Sequence, residues 1–282
     1  MISIIIPTLD AGASIGELLW RLLRQETSPA EIIVIDSSSE DGTVEIARRL
    51  GAKTMVIPRY TFDHGKTRNM AAAEAKGDIL VFMTQDALPY NGRLLSYLIA
   101  PLQESGIAAT YGRHIPRPDA LPPEVFARQF NYPDSPMTRG MGDIHKYGIK
   151  TFFFSNVCSA IRKDLFMEVG MFPEGIRANE DMLIAAKFIT RGHKVAYVPD
   201  AAVIHSHNYS LLGQFRRYYN IGSSLRANRW VLRYAQAEGE GLRFIKEQIG
   251  FLFERHGYLW IPYVLFEAIA KYAGYRIGLT AG

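Results

Sequence analysis

One cysteine, Cys158, stands in 282 residues, so no intramolecular disulfide is available and a reducing compartment such as the cytosol suits the chain. No apolar run approaches the roughly 18 residues that a membrane-spanning helix requires, which argues against an integral membrane protein. No tract of one charge exists either. Lys and Arg total 32 against 28 Asp and Glu, interspersed, for a net charge of +4. Nucleic acid is therefore not expected as a main partner, while anionic substrates or an anionic membrane surface remain compatible. There is no internal repeat and no low-complexity stretch. Met1 leads straight into Ile-Ser-Ile-Ile-Ile-Pro without a basic region or small-residue cleavage site, so a first strand is expected there and not a signal peptide. What is present is a composition of 48% hydrophobic and 21% charged residues, enough to bury one large α/β core with or without an appendage.

β-branched and apolar runs alternate with stretches of helical spacing. Residues 2–6, 31–36, 53–57 and 78–83 read as buried strands, and 14–23, 43–50 and 67–76 as the helices between them, with Ser14 a candidate cap. That order predicts parallel pairing with right-handed crossovers. Further on, 94–105, 124–130, 163–169 and 181–191 read as helices, and 109–113, 152–161, 194–198 and 202–204 as strands, with Pro199 ending one of them. Residues 133–150, rich in Gly, Pro and Asp, read as a mobile surface loop able to close over a ligand. From 210 onward the chain turns helical, with aromatic residues and arginines interleaved. That composition suits a helical subdomain packed on the sheet, an amphipathic surface resting on an anionic membrane, or both.

Chemistry-bearing residues stand where strands stop. Asp86 follows the buried run 78–83, Asp36 ends the second strand, Glu180 and Asp181 open a helix, and His205 follows 202–204. Ligands in open α/β sheets bind beyond the carboxyl ends of the strands, so these positions are expected to share one edge. Individually each has a plainer role: Asp86 as a turn residue, Asp41 as a helix cap after Asp36, Glu180 and Asp181 as helix-start charges, His205 and His207 as surface polar groups. Jointly they suit departure of a diphosphate: carboxylate and imidazole ligands for Mg²⁺ or Mn²⁺, and a separate carboxylate as general base. Asp181, at a helix start whose dipole favours an anion, is expected to stay ionised at neutral pH.

The strings IIIPTLDAG, VIDSSSEDGT, TQDA, NEDMLIAAKFITRGHKVAYVP and IHSH resemble family 2 glycosyltransferases of the GT-A fold, over about residues 1–220. More narrowly, FDHGKTRNMAA, TQDALP, FARQFNYP, FFFSNVCSAIRKDLF and HSHNYSLLGQFRRYY resemble the bacterial rhamnosyltransferases that build O-antigen and related surface polysaccharides. The resemblance implies an α/β GT-A fold with a mainly parallel central sheet: a catalytic domain over 1–209 and a C-terminal helical extension over 210–282. It implies an inverting enzyme using a nucleotide-diphosphate sugar, dTDP-L-rhamnose, on a saccharide or lipid-linked acceptor, in the cytoplasm or at the inner face of the cytoplasmic membrane. Pro7, Thr8, Asp36 and Ser38 in the 37–41 turn match positions that hold base and ribose. His64, Gly65, Arg68 and Asn69 match the next nucleotide-sugar segment, with Arg68 on the diphosphate. Gln85 and Asp86 fall in the Asp-x-Asp metal motif, of which only the last Asp is kept, Thr84 standing at the first. Asp181, of the Glu180-Asp181 pair, matches the catalytic base. His205, 24 residues beyond Asp181, matches a metal-binding histidine, with His207 as the alternative. Two rival functions are a sugar nucleotidyltransferase, for which residues 7–16 lack the Gly-rich, Lys-bearing phosphate loop, and a non-catalytic sugar-nucleotide-binding domain.

Overall fold

A computed structural model describes residues 1–235 and 240–281. Its elements in order are β1 (Ile2–Thr8), α1 (Ile15–Leu23), β2 (Glu31–Asp36), α2 (Thr43–Arg49), β3 (Lys53–Val56), α3 (His64–Glu74), β4 (Ile79–Met83), β5 (Leu88–Pro89), α4 (Leu94–Ile99) and β6 (Ile107–Ile115). There follow α5 (Pro122–Asn131), β7 (Met137–Arg139), α6 (Ile144–Tyr147), β8 (Cys158–Arg162), α7 (Lys163–Glu168), α8 (Glu180–Thr190), β9 (Lys194–Ile204), α9 (Leu211–Ala227), α10 (Glu240–Glu254) and α11 (Ile261–Thr280).

The strands form one sheet in the order β3-β2-β1-β4-β8-β6-β9-β5, with β7 added beside β9. β3, β2, β1 and β4 are parallel to their neighbours, as is β6 to β9, whereas β8 runs antiparallel between β4 and β6. Side chains on a strand alternate between faces, and here the alternation sorts one apolar run into two cores. Ile5, Ile33, Ile35, Leu80 and Phe82 enter the core shared with Ala71, Ala72 and Leu183. Ile4, Ile6, Val34, Val81 and Met83 enter the opposite one, shared with Ile15, Leu18, Leu19 and Leu22 of α1. Burial on both faces explains why these strands read as unbroken apolar runs.

The ends of β1, β2, β4 and β9 and the start of the antiparallel β8 fall on one edge, which places Thr8, Asp36, Asp86, His205 and Asn156 together. β9 is one strand and not the two expected. Its register against β6 jumps from Gly112↔Val198 to Arg113↔Ala202, so Pro199 sits in a bulge where its missing N–H deprives no partner. Gly112 makes the bulge possible, since a Cβ there would lie 2.2 Å from the Ala201 carbonyl oxygen. Residues 152–157 do not pair; Phe152 and Phe154 are buried in an aromatic core with Tyr111, so their β-like composition reflects packing. Residues 133–150 are no open loop. β7 pairs with β9, the Tyr197 hydroxyl donates to the Pro133 carbonyl at 2.8 Å, and Asp143 accepts from the Gly140 N–H at 2.9 Å. Together they cover an edge strand.

The C-terminal helices are tied to this body. Phe244 and Phe251 of α10 pack on Phe126 of α5, and Gln248 donates to the Pro123 carbonyl at 3.2 Å. α9 and α11 approach backbone to backbone at Gly222, Gly274 and Gly278, where a Cβ would meet main-chain atoms at 2.1–2.3 Å. Gly278→Val should therefore force the two helices apart and lower stability by about 1–3 kcal/mol, read as a reduced thermal midpoint. An unchanged midpoint would show that the helices do not depend on this crossing.

Candidate active site

The floor of the cleft is a set of buried polar groups that fix one another. Asp36 is fully buried and accepts the Thr8 hydroxyl at 2.7 Å, the Ser39 N–H at 2.8 Å and the Ser39 hydroxyl at 2.6 Å. Pro7 lies within β1, paired opposite Ile35, and does not end the strand. Ser38 has left-handed backbone (φ 59°), and its hydroxyl donates to the Ile57 carbonyl at 2.8 Å. Gln85 pairs reciprocally with the Leu9 backbone, accepting its N–H at 2.8 Å and donating to its carbonyl at 3.0 Å. Asp36 and Gln85 thus hold the β1–α1 and β2–α2 loops in register around the cleft.

At the ends of β4 and β9, Asp86, His205 and His207 converge. Asp86 Oδ2 lies 3.4 Å from His205 Nε2 and 3.1 Å from His207 Nε2, so both imidazoles reach the same carboxylate oxygen. Burial opposes charge on Asp86, yet hydrogen bonds from His205 and His207 outweigh it and hold the carboxyl well below its usual range. Burial lowers the pKa of His205 and keeps it neutral, the form in which imidazole binds a metal. One ligand atom from each residue lies within 4.8 Å of the others, a spacing that a single cation can bridge. One carboxylate oxygen and two imidazole nitrogens fit Mn²⁺ better than Mg²⁺, which prefers an all-oxygen shell.

The Glu180-Asp181 pair divides into two environments. Glu180 points inward: its Oε1 accepts from Arg68 Nη1 at 3.3 Å and from Asn156 Nδ2 at 3.5 Å, and the side chains of Arg68 and Glu180 are only 4% and 9% exposed. Asp181 is half-buried and accepts the Met182 N–H at 2.8 Å. Burial and the Glu180 charge beside it push its pKa up to about 7. The helix dipole therefore does not keep Asp181 fully ionised at neutral pH, as the sequence led one to expect. Burial and a like charge together outweigh the partial charges of a helix start.

The segment 64–69 also has a structural job. Arg68 is spent on Glu180. Asn69 donates to the Phe172 carbonyl and to Glu174 Oε1, each at 3.0 Å, and accepts the Phe172 N–H at 3.1 Å. Gly65 lies so close to Pro173 that a Cβ would sit 2.0 Å from its carbonyl oxygen. Of His64, Gly65, Arg68 and Asn69, only His64, at the mouth of α3, is exposed. The segment braces the chain leading into α8, on which Asp181 sits.

Several residues of the site carried no assigned role in the sequence. His114 stacks on Tyr132 with ring centroids 3.9 Å apart and meets His205 edge-on at 5.3 Å. Arg128 contacts His114 Nδ1 at 3.2 Å and Glu124 at 2.6 Å, and Glu124 Oε1 accepts the His207 N–H at 3.3 Å. This chain of contacts meets the His205 ring and, through Glu124, the backbone N–H of His207. Arg128 and Asn156 lie in the strings FARQFNYP and FFFSNVC, but only the fold brings them to the site.

The sequence matches the family described as Glycosyl transferase family 2 over residues 3–170. It is 40% identical over 279 residues to the O-antigen chain rhamnosyltransferase WbaN of Salmonella anatum, covering 98% of this chain and 88% of that protein. The O-antigen chain rhamnosyltransferase RfbN of Salmonella typhimurium is likewise 40% identical over 280 residues, covering 98% and 89%. Among solved structures, the mannosyltransferase PcManGT of Pyrobaculum calidifontis, in complex with GDP-Man and Mn²⁺, superposes with a TM-score of 0.60 at 21% identity, over 96% of this chain and 73% of that one. The fold is GT-A.

Two outcomes follow from this geometry. Arg68→Met leaves Glu180 buried without its cation and should cost about 3–5 kcal/mol, seen as a large drop in denaturation midpoint. A midpoint near wild type would mean that the pair does not hold α8. Asp86→Ala should weaken Mn²⁺ binding, followed by titration calorimetry, by roughly tenfold or more; unchanged affinity would remove Asp86 from the metal site.

Proposed function

Because the chain belongs to glycosyl transferase family 2 and is a glycosyltransferase, we propose that it moves L-rhamnose from dTDP-L-rhamnose, with inversion, to a hydroxyl of a saccharide or lipid-linked acceptor in bacterial surface polysaccharide synthesis. The rhamnosyl reading is supported by relatives that match nearly the whole chain. The chemistry rests on one observation: a cleft carboxylate with a pKa of about 7, Asp181, stands at the sheet edge that also carries Asp86, His205 and His207.

A general base works best when its pKa lies near the working pH. Asp181 takes the acceptor proton as the hydroxyl oxygen attacks the anomeric carbon in line; the bond from that carbon to the diphosphate breaks, and dTDP leaves. Glu180 is not a second base in this reading. Its charge raises the proton affinity of Asp181, and its bond to Arg68 fixes the start of α8. Asp86, His205 and His207 would hold Mn²⁺, which when bound neutralises charge growing on the leaving diphosphate. Pro7, Thr8, Asp36, Ser38 and Gln85 shape the nucleotide end of the cleft; of these, the buried Asp36 acts through the loops it holds.

Residues 1–209 are proposed as the catalytic unit and 210–282 as an extension that meets the membrane carrying a lipid-linked acceptor, at its cytoplasmic face. No helix among the described residues is long and apolar enough to cross a membrane, so such contact would be peripheral.

Asp181→Asn should lower turnover of dTDP-L-rhamnose by about a hundred- to ten-thousand-fold while leaving dTDP binding intact. In the wild-type enzyme, kcat/KM should fall as pH drops through about 7, because the base must be unprotonated. Glu180→Gln removes a neighbouring negative charge and should move that limb to lower pH. An Asp181→Asn enzyme turning over near the wild-type rate would sink the assignment.

A further inference from the structure

α11 is built inside out for a helix in water. Its carboxylate faces its partner helix: Glu267, 5% exposed, accepts from Gln214 Nε2 of α9 at 2.7 Å and from Lys271 Nζ at 3.0 Å. Its outer face carries Leu265, Phe266, Ile269, Tyr272 and Ile277, between 45% and 66% exposed. Leu259, just before the helix, is 95% exposed. These positions recur at helical spacing, so they form one stripe, larger than the scattered apolar residues of an ordinary surface. The only charge on the stripe is Arg276, whose guanidinium lies over the Tyr272 ring at 6.0 Å.

Charge decides what covers it. Residues 201–237 contain five arginines and no carboxylate. Residues 210–282 hold ten basic and five acidic residues, an excess of five, whereas the whole chain has an excess of four. All of the net positive charge therefore lies in the C-terminal helices. A second copy on this stripe would bring two basic layers together, which costs energy. An anionic lipid surface complements both the net positive charge of these helices and the apolar stripe of α11.

From this arrangement we infer that the outer face of α11 lies in the interfacial layer of an anionic phospholipid bilayer, with the exposed Arg216 of α9 and Arg229 and Arg233 in the turn after it near the headgroups. This deepens the membrane contact proposed above and rests on that reading. Three residues separate the candidate ligand His207 from the start of α9 at Leu211, so seating α11 in the lipid would bring the cleft near an acceptor at the surface.

The test is vesicle flotation of the full chain, beside sedimentation velocity and titration with dTDP and Mn²⁺. Wild-type protein should float with vesicles containing phosphatidylglycerol, less with phosphatidylcholine alone, and less at high salt. The double variant Phe266→Asp, Ile269→Asp should lose vesicle binding by about tenfold or more while keeping its circular dichroism melt and dTDP binding. Absence of wild-type flotation at low salt, or flotation that the variant leaves unchanged, overturns the inference. So does a wild-type dimer that the variant dissociates without any vesicle affinity. Flotation with no dTDP binding would uphold the lipid surface and reject the donor reading instead.

Discussion

The buried ion pair between Arg68 and Glu180 is the contact on which the catalytic edge depends. Two charges removed from water to this degree return little net stability, because the cost of desolvation consumes most of their attraction. What they impose is position. Arg68 belongs to α3, Glu180 to α8, and 112 residues separate them. The pair joins the two helices at the point where Asp181 enters the cleft, and Asn69 and Gly65 secure the intervening chain against Pro173 and its neighbours. The same Glu180 charge then raises the proton affinity of Asp181. One interaction thus bears both on where Asp181, the proposed base, sits and on how strongly it holds a proton.

The metal side solves a different problem. Where the family motif has two acidic positions, this chain keeps Asp86 alone, and the segment after β9 brings two imidazoles beside it. Replacing a carboxylate by neutral nitrogen reduces the negative charge that must be desolvated and moves preference from Mg²⁺ toward Mn²⁺. A lone carboxylate also needs support, since burial alone would protonate it; the two Nε2 groups supply that support and leave Asp86 ionised.

The parallel half of the fold was legible because burial on both faces leaves an unmistakable apolar run, and Asp36, Asp86 and His205 were legible because each stands where such a run stops. Partners remote in sequence were not. HGKTRN looks like a ligand-binding string, with exposed-looking Arg and Asn; only the packing of α3 against residues 172–180 shows that both are committed inside the protein. The ionisation of Asp181 was misjudged for the same reason, since a helix dipole is visible in sequence and desolvation is not. Residues 133–150 looked mobile because turn-forming composition does not reveal that three of them add a strand to β9.

The extension is bonded to the segment that borders the cleft. His207 faces Asp86 through its ring and Glu124 through its N–H. Two residues later the Tyr209 carbonyl accepts the Tyr263 hydroxyl of α11 at 2.8 Å, and Ser210 caps α9 by accepting the Gly213 N–H at 3.2 Å. A displacement of α11 relative to the sheet would be delivered to the segment between His205 and Ser210, because α9 is locked to α11 at the glycine crossing and has no slack before it. The residues that would ligate the metal are thus held on one side by the sheet and on the other by the lipid-facing helix pair. Seating that pair on a surface, as inferred above, would leave the segment between His205 and Ser210 between the sheet and the lipid.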